Sequence, residues 1–173
     1  MCKEKGFIFY TFSLVELCLL DYPYGMDSYY ILRLGKDLRT KVMKMRTQLF
    51  EKSGQSSFCC LEPCIILGPC DPTSEIPYVP CPRLPISVDG RLKYEHGQLF
   101  LPIEAEILKP LRLALATDYP ISGIYLGTQQ VSVPDENFVI KSVSLAILSV
   151  ERKQDLTLWN VFSERHLDSD RES

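Results

Sequence analysis

The chain has 173 residues, 46% of them hydrophobic and 24% charged, which suits one domain with a real core, or two small lobes sharing one. A net charge of −3 gives no electrostatic basis for tight, nonspecific nucleic-acid binding, although 19 Lys and Arg residues leave room for a local basic groove. Only His96 and His166 are histidines, so a mechanism needing two imidazoles must use both. Both lie outside any apolar strand frame and read as solvated surface residues.

Phe7 to Leu20 is apolar and follows Lys3 and Lys5, as in a signal peptide. Glu16 interrupts the run, no small-x-small site follows, and the run is too short to span a bilayer. Asp21-Tyr22-Pro23-Tyr24-Gly25 reads as a turn or linker. Residues 1–25 are therefore expected to be an upstream over-extension of a frame that starts at Met26, or a loosely attached apolar arm.

Tyr29 to Leu34 predicts a buried strand bounded by Gly35. Asp37 to Lys52 predicts an amphipathic helix. Leu38, Val42, Met45 and Leu49 form its apolar stripe, Lys41, Lys44 and Arg46 lie off it, and Gly54 is the stop. Ser57 to Cys60 and Cys64 to Leu67 read as strands, with Pro63 at a bend or edge. Gly68 to Pro82 holds five prolines and reads as a long loop bordering a binding site. Leu84 to Val88, Arg91 to Tyr94 and Leu99 to Ile103 read as a meander with turns at Asp89-Gly90 and His96-Gly97. Glu104 to Thr117 predicts a helix with Ile107, Leu111 and Leu115 in its stripe, which Pro110 either kinks or enters as the true first turn after an irregular start. Ile121 to Leu126 is a strand, Gln129 to Asn137 a loop, Phe138 to Val150 a long apolar run, and Leu156 to Phe162 a last strand with the single tryptophan, Trp159. Residues 168–173 read as a frayed tail.

Seven cysteines are present, five of them between Cys59 and Cys81. The number is odd and no CxxC pair occurs. A zinc site from Cys60, Cys64, Cys70 and Cys81 would match no common spacing, and a Cys70–Cys81 disulfide is a comparable outsider. Free, mostly buried thiols in a reducing cytoplasm are the favoured reading. No metal or cofactor is expected.

Two segments share one frame: Cys64-Ile65-Ile66-Leu67-Gly68 and Gly123-Ile124-Tyr125-Leu126-Gly127. They fall at matching places in the order strand, helix, strands, and suggest a weak internal duplication. This layout, from Tyr29 to Leu167, resembles the 2H phosphoesterase superfamily, which includes 2′-5′ RNA ligase-like and cyclic phosphodiesterase-like proteins. Phe138-Val139-Ile140-Lys141-Ser142-Val143-Ser144-Leu145, and the aromatic closing strand at Trp159, also fit it.

The resemblance implies an α+β, bilobal domain over residues 26–167. Two antiparallel sheets would face each other across a central cleft, with a helix outside each lobe. Active members carry one His-x-Thr on each motif strand, its two side chains two residues apart and so on one face. Here Cys64 and Ile66 occupy one such pair of positions, and Gly123 and Tyr125 the other. Ile66 and Gly123 can move no proton, and a thiol at Cys64 among apolar neighbours is poorly ionised. No catalytic residue is expected. The expectation is thus a catalytically degenerate, monomeric member, cytoplasmic by its free thiols, that serves as a binding module for RNA, a nucleotide or another phosphorylated ligand, or as an interaction module with a protein partner. Arg33, Lys93, Arg112 and Tyr125 are the candidate ligand contacts by chemical type. The alternatives are an active RNA ligase- or cyclic phosphodiesterase-like enzyme using substituted groups, and a protein-interaction or structural protein with a collapsed cleft.

Overall fold

The computed structural model describes residues 9–10, 26–54, 61–71, 73–132, 135–153 and 156–167. The predicted strand at Ser57 to Cys60, most of the apolar Phe7 to Leu20 segment and the tail at 168–173 lie outside these residues. Among the described residues no helix is long and apolar enough to cross a membrane, and no cluster of His, Cys, Asp and Glu could hold a metal ion.

The fold is α+β. Its strands are β1 (Phe9–Tyr10), β2 (Met26–Leu34), β3 (Cys64–Cys70), β4 (Ile86–Val88), β5 (Lys93–Glu95), β6 (Gln98–Pro102), β7 (Gly123–Gly127), β8 (Phe138–Ile140), β9 (Val143–Lys153) and β10 (Leu156–Leu167). The helices are α1 (Lys36–Ser53) and α2 (Ala105–Ala114). One antiparallel sheet runs in the order β1-β10-β9-β2-β3-β7-β6-β5, and β4 pairs with β8 in a second. The strands expected in two separate sheets thus join into one, through β3 and β7.

The centre of this order is symmetric. β2–α1–β3 and β6–α2–β7 are each a strand, a helix and an antiparallel strand. They meet where β3 pairs with β7, at Ile65 opposite Ile124. Those two isoleucines hold the same place in the two five-residue frames, so the internal duplication expected from sequence has a spatial counterpart.

Period-two alternation sends each strand's side chains to two different cores. Leu32, Leu34, Ile65, Leu67, Leu99, Leu101, Ile124, Leu126, Leu145 and Ile147 face the core that also takes Leu38, Val42, Met45 and Leu49 of α1 and Leu108 and Leu111 of α2. Ile31, Cys64, Ile66, Tyr125, Ala146, Leu148 and Val150 form the other core, on the sheet face opposite the two helices. Each buried Leu or Ile on either face contributes about 1.5–3 kcal/mol.

Several boundaries differ from the predicted ones for physical reasons. The apolar run from Phe138 breaks at Lys141-Ser142, because the Ser142 carbonyl accepts the Gly35 N–H (3.1 Å) and the chain then changes sheet. β4 does not continue a meander into β5; it registers with β8, Ile86 opposite Ile140. β5 and β6 do form the expected hairpin, with His96 and Gly97 at φ 49° and 71° in its turn. α2 runs through the exposed Pro110 and ends at Ala114. In the loop after β3, Ile76 and Val79 are buried in the helix-side core, and the Arg165 guanidinium donates to the Pro77 carbonyl (3.3 Å). The loop is pinned on that side of the sheet.

Candidate functional site

Strand alternation places the four frame positions on the face opposite the helices. Cys64 is 0%, Ile66 4% and Tyr125 2% exposed, and Gly123 is buried between them and β6. A Cβ on Gly123 would fall on the Leu101 carbonyl oxygen and lie 2.6 Å from Phe100 Cδ2. The position has no room for a methyl group, still less for an imidazole. Leu61, Tyr29, Tyr119, Trp159 and Val161 pack against the same core.

Burial first, and the Glu62 carboxylate second, push the Cys64 thiol up to about 12. The closed fold holds it neutral at physiological pH, which disfavours it as a nucleophile. Tyr119, lodged nearby, is likewise raised by burial to about 12, and its hydroxyl accepts a hydrogen bond from Gln98 Nε2 (2.7 Å). The ring of Tyr125 lies under the Arg46 guanidinium, 5.9 Å from centroid to carbon, a cation–π distance.

The expected ligand contacts do not converge. Arg33 Nε donates to both Glu62 carboxylate oxygens (3.1 and 3.0 Å), its Nη2 to Glu62 Oε1 (2.8 Å) and its Nη1 to Glu164 (2.6 Å). Burial opposes the Arg33 charge, but the two carboxylates more than offset it, and the pKa is raised. Arg112 is 8% exposed; burial depresses its pKa, and its guanidinium is spent on the carbonyls of Leu67, Ile66 and Ile121 and on Ser122 Oγ. Tyr125 is in the core. Lys93 is exposed on β5, at the far edge of the sheet. Three of the four residues thus serve the protein's own interior or its ion pairs.

Both histidines are exposed. His96 sits in the β5–β6 turn, and His166 Nδ1 lies 3.0 Å from Ser144 Oγ at the end of β10. Cys64 is a buried thiol and Cys70 and Cys81 are half-buried thiols, none of the three in a disulfide; Cys59 and Cys60 lie outside the described residues. A surface recess of about 380 Å³ is lined by Asp89, Gly90, Arg91, Asp135 and Asn137, none of them a frame residue. Two carboxylates against one guanidinium make it a poor host for a phosphate.

Two polar residues that structure this region were not anticipated. Glu62 is 7% exposed and bound by Arg33 and by Arg39 Nη1 (2.9 Å). Its signal is faint, a lone carboxylate beside a proline in an apolar stretch. Arg46 is 1% exposed although expected on the solvent side of α1. It adjoins the Val42 and Leu49 rows of the helix, four before and three after it, so its stem follows the apolar stripe and its head passes under the sheet. Comparison with known proteins finds no matching family model, no matching characterised protein and no matching solved structure.

Proposed function

We propose that this chain is a catalytically degenerate protein of 2H phosphoesterase-like build whose motif face has become a second hydrophobic core, and that it acts through protein interaction or as a structural element. The observation that carries this reading is the state of the four frame positions: three side chains at most 4% exposed, and a glycine with no space for a Cβ. Two strands at the middle of the sheet, in equivalent register, with both helices on the opposite face, support the family resemblance. The missing imidazoles, the neutral thiol and the spent arginines argue against phosphodiester chemistry. Among the ligand contacts expected from sequence, Lys93 alone is exposed, which weakens the nucleotide- or RNA-binding reading.

Incubation of the full chain with 2′,3′-cyclic nucleotides and short RNAs, followed by product analysis from pH 5 to 9, tests the claim. No hydrolysis or ligation above the buffer control is expected. Turnover that disappears in Cys64→Ser or Tyr125→Phe would overturn it.

A further inference from the structure

In main-chain pairing the two halves of the sheet are joined thinly, although one helix-side core spans both. β2 and β3 share six register pairs and β6 and β7 share four, but β3 and β7 share one, Ile65 with Ile124. Beyond that pair the frame carbonyls need other donors, and two arginines supply them in a reciprocal pattern. Arg46, on the helix of the first half, donates from Nε to the Leu126 carbonyl of the second half (3.0 Å) and from Nη1 to the Leu61 carbonyl just upstream of its own frame strand. Arg112, on the helix of the second half, donates from Nε to the Leu67 carbonyl of the first half (3.1 Å) and from Nη2 to the Ile121 carbonyl just upstream of its own frame strand (2.6 Å). Leu67 and Leu126 are the same place in the two frames. The two cross-half contacts therefore obey the pseudo-two-fold relation that passes between Ile65 and Ile124, and the upstream contacts follow it approximately, three residues before one frame and two before the other.

We propose that Arg46 and Arg112 form a reciprocal clamp that holds the β3/β7 joint closed, and that the two halves part at this joint, uncovering Cys64 and Tyr125, when either guanidinium lets go. The physical basis lies in the carbonyls. A buried carbonyl that loses its donor carries a desolvation cost that water removes only if the joint opens. Loss of one arginine therefore destabilises the closed joint while leaving the open one untouched. Cys64 and Ile66 stand on one side of the joint and Tyr125 on the other, within one packed cluster, so parting the strands exposes them together.

Peptide-resolved alkylation of Cys64 in the full chain reports the opening, because a thiol with no exposed surface reacts only when uncovered. Arg46→Met and Arg112→Met should each raise the Cys64 rate at least about tenfold, with a denaturant dependence clearly shallower than that of global unfolding, as expected of an opening that exposes only part of the core. Arg46→Lys and Arg112→Lys, which keep the charge and a single donor group, should fall between these and the wild type. They also carry the test if the Met variants fail to fold. Ile86→Ala, which truncates a buried side chain of the small β4/β8 sheet, serves as the control: its Cys64 rate should rise only through global unfolding, with the full denaturant dependence. The proposal is overturned if the arginine variants label Cys64 with that same steep dependence, or no faster than the wild type.

Discussion

Gly123 is the residue at which the motif face is most tightly closed. Because a Cβ would strike the Leu101 carbonyl and Phe100 ring, Gly123→Ala should destabilise the fold by about 1–3 kcal/mol, read as a lower midpoint in urea. Unchanged stability would mean that the face has slack. Cys64 gives a second residue-scale outcome. Its thiol titrates near 9.0 in the ordinary case and about 12 here, so the folded state holds a proton that the unfolded chain has lost between those values. The associated stability is complete below about pH 9 and falls as the pH rises from there toward 12, by about 1.4 kcal/mol per pH unit at most. Denaturation midpoints from pH 8 to 11 should decline, and Cys64→Ala should flatten the decline in part, since Cys70 and Tyr119 are raised in the same direction. A Cys64→Ala curve parallel to the wild type would contradict the buried thiol. Both residues were legible as frame positions from sequence; that Gly123 has no free volume depends on β6, which lies opposite it in the fold but more than twenty residues away in the chain.

Among the elements, α1 shows what helical periodicity conveys and what it omits. Leu38, Val42, Met45 and Leu49 are all buried as their spacing implies. Arg46 is buried too, because the sheet's central joint offers carbonyl acceptors beneath the helix, and no one-dimensional pattern records where such acceptors lie. The segment before β3 is tied down by charge. Glu62, linked to Arg33 and Arg39, is nearly inaccessible, so Glu62→Gln should cost about 2–3 kcal/mol by leaving two guanidinium groups short of their counter-ion. Arg33 keeps Glu164, which limits the loss. Urea denaturation checks this, and a change under about 0.5 kcal/mol would mark the pair as an ordinary surface one. The break between β8 and β9 was hidden in a run of apolar residues because both sides of the break are strand; only the pairing of β8 with β4 separates them.

Over the whole molecule, most element identities were legible in the residues and the architecture was not. The apolar frames, the two helices and the β5–β6 hairpin follow from local patterns of apolar spacing and turn residues. That β3 and β7 become neighbours, that β4 leaves the meander, and that the strands form one main sheet are matters of long-range register, to which local periodicity is silent. The candidate site divides the same way. Its four frame positions were recognisable from sequence, whereas their closure, and the diversion of Arg33 and Arg112 into internal bonds, follow from what packs across them. Among the described residues the motif face is closed and apolar, and on the proposed reading it takes no phosphate. A thermal-shift titration of the full chain with 2′,3′-cyclic nucleotides, 2′-phosphonucleotides and short RNAs tests this most directly, since any ligand that prefers the folded state must raise Tm. The account expects no saturable shift with any of them; a saturable rise in Tm that Gly123→Ala or Tyr125→Phe abolishes would contradict it.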